Sequence, residues 1–269
     1  MHITIDRHET YLYTGGKPLA AADIAAQPAI VFIHGAQQDH SCWTLQSRWF
    51  AHHGFTTLVP DLPGHGRSAG APLATVEALA DWIIALLDAV GVGKATLVGH
   101  SLGSLVVMEA ALRHGSRVAK AVLITPSLPM PVSAALLDAA LTDEPRAAAM
   151  INDWSYSPRG QVGSCAVPGM WMLGMNQRLM ERQDEGVFHT DLNACNTYTR
   201  PMESLAGMIC PSLILAGSRD RMTSPKVARQ LAATLPDARL LTLPGGGHAL
   251  MAEQPDAVLD ALREFVAAG

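Results

Sequence analysis

Short apolar runs rich in β-branched residues alternate with longer stretches of helical periodicity along most of this chain, and that alternation leaves few folds open. Ala29 to Ile33, Thr56 to Val59, Ala95 to Val98, Val118 to Thr125, Pro211 to Ala216 and Arg239 to Leu243 read as strands. Their near-continuous apolar character suits strands covered on both faces, as in a parallel sheet of an α/β protein. Ser41 to His53, Leu73 to Val90, Leu102 to Arg113, Pro225 to Leu235 and Pro255 to Ala267 read as the covering helices. In the second of these Val76, Leu79, Ala80, Ile83, Leu86 and Leu87 recur at helical spacing, and Gly91 supplies a stop. Upstream, Ile3 to Tyr13, broken around Asp6 to Glu9, reads as an antiparallel edge hairpin, and Gly15-Gly16-Lys17-Pro18 turns the chain after it. The alternation stops at Pro126 and resumes after Leu205. The expectation is an α/β core from residues 1–125 and 206–269, mostly parallel with helices on both faces, and a helical insertion over 126–205.

A chain of 269 residues fits one such domain. With 49% apolar and 16% charged residues it buries a large core and is far from the composition of disorder. A net charge of −5 and a pI near 6.1 provide no basic stripe, so no nucleic-acid partner is expected and a small molecule is. No apolar run is long enough for a membrane helix, and the opening MHITIDRHET is polar, so the expected setting is cytoplasmic with no membrane partner. Cys42, Cys165, Cys195 and Cys210 are far apart and form no C-x-x-C pair; free thiols are expected.

The chemistry concentrates in Gly99-His100-Ser101-Leu102-Gly103, a G-x-S-x-G between a predicted strand and a predicted helix. A serine on so sharp a turn is held in strained backbone, and side chains two positions away on either side would collide, so both positions need glycine. The turn raises the hydroxyl above the sheet and aims the Leu102 amide, at a helix N-terminus, toward the place where a negative oxygen would develop. A serine hydroxyl needs a base, and the base needs a carboxylate behind it. His248 follows the strand RLLTL and the loop Pro244-Gly245-Gly246-Gly247; Asp220 follows SLILA through Gly217-Ser218-Arg219. The preceding strand ends Thr125-Pro126-Ser127, with no carboxylate before Asp138, which leaves Asp220 as the acid. The order Ser101, Asp220, His248 is that of a nucleophile-elbow triad. Phe32-Ile33-His34-Gly35-Ala36 supplies a turn at the first buried strand's exit, and the Ala36 amide is the candidate second oxyanion donor. His34 and His100 flank these motifs and read as packing or hydrogen-bonding residues.

Together HGAQQDHSCW, DLPGHGRS, GHSLG, the GSRD turn and GGGHALMAEQP resemble the α/β-hydrolase superfamily over nearly the whole chain outside the insertion. The resemblance implies the α/β-hydrolase fold, with Ser101 as nucleophile, Asp220 as acid, His248 as base, the Ala36 and Leu102 amides as oxyanion hole, and the insertion as a helical cap over the pocket. The implied reaction is hydrolysis of a small or medium carboxylic ester through an acyl-enzyme. Alternatives on the same triad are C–C cleavage of a diketone, lactone or amide hydrolysis, and perhydrolysis; an alternative of another class is a non-catalytic ligand-binding protein. Haloalkane dehalogenases and epoxide hydrolases of this fold that use an aspartate nucleophile are set apart by serine at 101.

Rival motifs fail. Gly91-Val92-Gly93-Lys94-Ala95-Thr96 precedes a strand instead of following one, so it is no phosphate loop; His8-Glu9 is followed by Leu12, not a second histidine; His52 and His53 face different ways. No metal and no organic cofactor is expected. The insertion is rich in methionine, with Met130, Met150, Met170, Met172, Met175, Met180, Met202 and Met208 in or beside it and Trp154 and Trp171 among them. Such side chains adapt to irregular apolar groups. The expected substrate-binding residues are Trp154, Met170 and Trp171, with His40 and Trp43 near the oxyanion turn. The expected partner is a small-molecule ester, and a homodimer stays open.

Overall fold

A computed structural model describes residues 1–163 and 169–267. Eight strands form one sheet in the order β1-β2-β4-β3-β5-β6-β7-β8. β1 (His2–Ile5) and β2 (His8–Tyr13) are the expected antiparallel hairpin, turning at Asp6 and Arg7, both in the left-handed region. β2 also runs antiparallel to β4 (Thr56–Pro60), and from β4 onward every pairing is parallel: β3 (Ala29–Ile33), β5 (Ala95–His100), β6 (Val118–Ile124), β7 (Ser212–Gly217) and β8 (Ala238–Leu243). β3, β4, β5 and β7 are buried at every residue, which is why no polar alternation marks them in the sequence.

The helices cover both faces. α2 (Thr44–His52) and α12 (Pro255–Ala267) pack with Phe32, Val98, Val122 and Leu215; α3 (Val76–Val90) and α4 (Leu102–Arg113) pack with Val31, Ile33, Leu97 and Leu123 on the other side. The alternate residues of β3 and β5 thus feed two separate cores, as the period-two geometry of a strand requires. α3 begins at Val76, three residues later than periodicity suggests, because the Thr75 hydroxyl accepts from Ala78 N–H and caps it; it ends where Gly91 takes φ 82°. The stretch read as one helix over Ser41 to His53 opens instead with a 3-10 turn, His40–Trp43, capped by Asp39. Two short helices escape sequence periodicity, α1 (Ala21–Ala26), which has no buried residue, and α11 (Leu250–Glu253).

Between β6 and β7 the chain forms α5 (Ala134–Thr142), α6 (Glu144–Ser155), α7 (Pro158–Gln161), α8 (Met172–Met180) and α9 (Val187–Thr197), followed by a 3-10 turn over Met202–Gly207. α5, α6, α8 and α9 share a small core of Leu136, Ala140, Ala147, Ile151, Met180, Phe188 and Leu192. α10 (Pro225–Thr234) lies between β7 and β8. Cys42, Cys195 and Cys210 are unpaired thiols; Cys165 lies outside the described residues. Among the described residues no helix is long and apolar enough to cross a membrane.

Candidate active site

β5, with β3 on one side and β6 and then β7 and β8 on the other, brings four loop ends to one edge of the sheet. Ser101 stands between β5 and α4 with φ 52° and ψ −117°, a conformation that L residues rarely adopt. The crowding is extreme: a Cβ on Gly99 would lie 2.1 Å from Gly103 O, and one on Gly103 would lie 2.5 Å from Ile33 O. The flanking glycines therefore let strand, turn and helix pass one another at backbone contact. The Ser101 amide donates to Ile124 O at 3.1 Å and the Ser104 hydroxyl donates to Ser101 O at 2.6 Å, so the turn is tied to β6 and to its own helix.

His248 and Asp220 meet. The imidazole Nδ1 lies 2.9 Å from Asp220 Oδ2, and both side chains are almost completely buried. A carboxylate can only accept, so Nδ1 carries a proton and donates; in the neutral ring Nε2 then holds the lone pair. Nε2 is buried and has no hydrogen-bond partner among the described residues. Asp220 is itself held: Oδ1 accepts from Met222 N at 2.8 Å and Thr223 N at 2.9 Å, and Oδ2 accepts from the Thr223 hydroxyl at 2.6 Å. Burial pushes the Asp220 pKa up, but His248 and these donors outweigh it and hold the carboxyl below its ordinary value. The imidazole backbone is equally fixed, since His248 N and Ala249 N both donate to Ser155 O, at 2.8 and 3.0 Å, and Gly247 N donates to Glu253 Oε1 at 2.9 Å.

Ser101 and His248 line one cavity of about 360 Å³ but are not hydrogen bonded to each other. Contacts of this kind are commonly loose before substrate arrives. Ala36 lines the same cavity, and neither its amide nor that of Leu102 has a hydrogen-bond partner among the described residues. The remaining wall comes mainly from the α5–α9 segment: Leu136, Ile151, Trp154, Met180, Phe188 and Leu192, with Gln38, Asn176 and Arg221 as polar groups. His100 packs beside His248, its Nε2 donating to His248 O at 3.1 Å, and burial with that neighbour lowers its pKa to about 3.

Of the expected substrate-binding residues, the structure places Trp154 on this cavity and the other four elsewhere. Trp43 is fully buried against Phe32, ring centroids 5.3 Å apart, because the 3-10 turn points it down into the sheet. His40 is turned away to Asp61, its Nδ1 donating to Oδ1 at 2.7 Å. Met170 and Trp171 border a second, more open cavity of about 790 Å³. Trp171 precedes α8, lies over Gly174, and is 67% exposed. Thr223, Gln38 and Asn176 escaped the sequence reading. Only Thr223 left a trace, three residues after Asp220 in a loop that ends in a helix cap.

Asp39, His40 and Asp61 cluster closely enough to suggest a cation site. Their oxygens are already committed: Asp61 accepts from His40 and from Arg67 N, and Asp39 accepts from Ser41 and pairs with Arg182. The cluster is a hydrogen-bonded brace between the loops that follow β3 and β4.

A mostly parallel sheet with a strained serine at the exit of an inner strand, and a histidine–carboxylate pair at the neighbouring exits, defines the class of nucleophile-elbow α/β proteins. The Alpha/beta hydrolase family model matches residues 30–261, and the chain belongs to that family. A putative carbamate hydrolase, RutD, of Pseudomonas syringae pv. syringae (strain B728a) is 30% identical over 264 residues, 91% of this chain and 96% of its own length. Esterase YbfF of Escherichia coli (strain K12) is 28% identical over 212 residues, covering 77% of this chain and 80% of that protein. The crystal structure of the enol-lactonase from Burkholderia xenovorans LB400 superposes with a TM-score of 0.86 at 22% identity, over 99% of each chain.

Proposed function

We propose that the protein is a serine carboxylesterase acting on a small or medium ester through an acyl-enzyme, with the α5–α9 segment as its cap. The observation that carries this reading is the His248–Asp220 pair, whose Nε2 has no hydrogen-bond partner among the described residues and whose histidine lines the same cavity as Ser101. In the proposed cycle Nε2 takes the Ser101 proton as Oγ attacks the ester carbonyl, and Asp220 stabilises the imidazolium that forms. The carbonyl oxygen becomes an oxyanion held by the Ala36 and Leu102 amides. Collapse expels the alcohol, which takes the proton from His248. A water molecule then repeats the sequence on the acyl-Ser101 ester, releases the acid and restores the serine.

The cavity supports this substrate class. It lies at the small end of ligand pockets and is mostly apolar, with a few polar groups to orient an ester. Serine at 101 cannot form the alkyl ester that an aspartate nucleophile forms, which sets this chemistry apart from that of members of the fold with aspartate at the elbow. The test is turnover of p-nitrophenyl esters of graded acyl length by wild type and Ser101→Ala. Loss of turnover in a folded Ser101→Ala protein is expected; retained turnover would remove the mechanism.

A further inference from the structure

A second buried histidine–carboxylate pair lies outside the proposed triad. His65, in the DLPGHGRS loop after β4, places Nε2 2.8 Å from Oδ2 of Asp191 on α9, and each side chain is 1% exposed. The other ring nitrogen, Nδ1, lies 3.0 Å from Pro63 O. Both neighbours are acceptors only, so both nitrogens must carry protons: His65 is an imidazolium. The neighbouring ring of His34, tilted against it with centroids 4.9 Å apart, is arranged in the opposite way, its Nδ1 donating to Gly35 O while its Nε2 accepts from Leu62 N, so His34 is neutral. His65 thus faces one neutral ring from the end of β3, the Asp191 carboxylate from α9, and Asp61 from its own loop. Burial alone would discharge His65, but Asp191, together with Pro63 O and Asp61, outweighs burial and raises its pKa.

Asp191 Oδ2 also accepts from Gln37 N at 2.8 Å. That amide belongs to the peptide that follows Ala36, and Gln37 sits at φ 56° in the left-handed region. The Gln37 side chain donates in turn to Met180 O on α8 at 3.1 Å, and Gly35 N donates to Gln38 Oε1 at 3.2 Å. The turn that presents the Ala36 amide is therefore pinned on both sides, and its strained residue is held by a carboxylate whose other partner is a buried cation. One turn along α9 on either side of Asp191, Phe188 and Cys195 face the substrate cavity, with Leu192 beside them.

We infer that Asp191, charge-balanced by His65, is a positioning residue that fixes the Ala36 amide in its oxyanion-binding orientation. The inference rests on the ester-hydrolase reading of the site. An uncompensated charge here would cost too much to keep, so the pair must stay intact for Gln37 to be held. Asp191→Asn keeps the volume and one acceptor but removes the charge. With nitrophenyl esters it should lower kcat by about tenfold while KM stays within about twofold, since the lost interaction acts on the developing oxyanion. Nitrogen NMR of the wild-type protein labelled in histidine needs no variant, and should show both His65 ring nitrogens protonated at neutral pH. A neutral His65 or a wild-type kcat in Asp191→Asn would overturn the inference, as would a loss confined to KM, which would assign Asp191 to the substrate wall. Ser101→Ala is run beside it: if that variant retains turnover, the hydrolase reading itself fails, whereas a dead Ser101→Ala with a fully active Asp191→Asn removes the positioning role alone.

Discussion

His34 and His100 show how much of this site depends on histidines that do no chemistry. Both are completely buried and neutral. Burial, assisted by the imidazole next to each, brings their pKa values to about 4 and about 3. An unfolded histidine titrates near 6.5, so as pH falls below that value the unfolded chain takes up protons that the native rings refuse. Stability is lost between pH 6.5 and about 4, on the order of 3 kcal/mol from His34 alone. His65 has the opposite sign: its raised pKa contributes stability that is complete below 6.5 and fades as pH rises through the folded value. Asp220 and Asp61, held below the ordinary carboxylate range, keep their contributions until pH falls below about 4. Urea unfolding of wild type should therefore show a midpoint that declines from pH 6.5 toward 4.5, and His34→Gln should flatten that decline. Parallel pH profiles for the two proteins would contradict the neutral-His34 assignment.

The unit β5-Ser101-α4 was readable in the sequence because three signals coincide there: an apolar strand, a G-x-S-x-G and an apolar helix whose residues 102–111 are all buried. The same holds for the exits of β7 and β8, where a glycine-bearing loop follows an apolar run and ends in Asp220 or His248. The α5–α9 segment was legible only as helical. Its Met and Trp content could not reveal direction, and Trp171 and Trp43 took outward and inward positions that depend on where a short helix begins. Thr223, Asp191 and Glu253 act through contacts with segments remote in sequence or through a side chain in a turn, and no spacing rule marks them. The glycines of the elbow make the readable part testable. In Gly103→Ala the new methyl meets Ile33 O, a backbone atom of β3, so strand or helix must shift. The variant should lose about 1–3 kcal/mol of stability, as overpacked sites do, and most of the proposed turnover of nitrophenyl esters. Unchanged chemical denaturation would show that the elbow is looser than its geometry implies.

At the scale of the whole molecule, the segment between β6 and β7 does more than roof the cavity. It holds the histidine loop from one side through Ser155 O, and through Ser157, whose amide and hydroxyl donate to the Glu253 carboxylate that also accepts from Gly247. It holds the turn at Ala36 and Gln37 from the other side through Asp191 and Met180. The α5–α9 segment and the sheet are thus joined at the loops that carry Gln37 and His248, which fits a small cavity held in one shape and, on the proposed function, a narrow range of ester sizes. The proposed function requires that the Ser101 hydroxyl be activated by His248 backed by Asp220. Mass spectrometry of the protein after treatment with a fluorophosphonate tests it most directly. A single phosphonyl adduct is expected on the peptide containing Ser101, formed rapidly by wild type and at a greatly reduced rate by His248→Ala. No adduct on wild type, or an adduct on a residue other than Ser101, would contradict it.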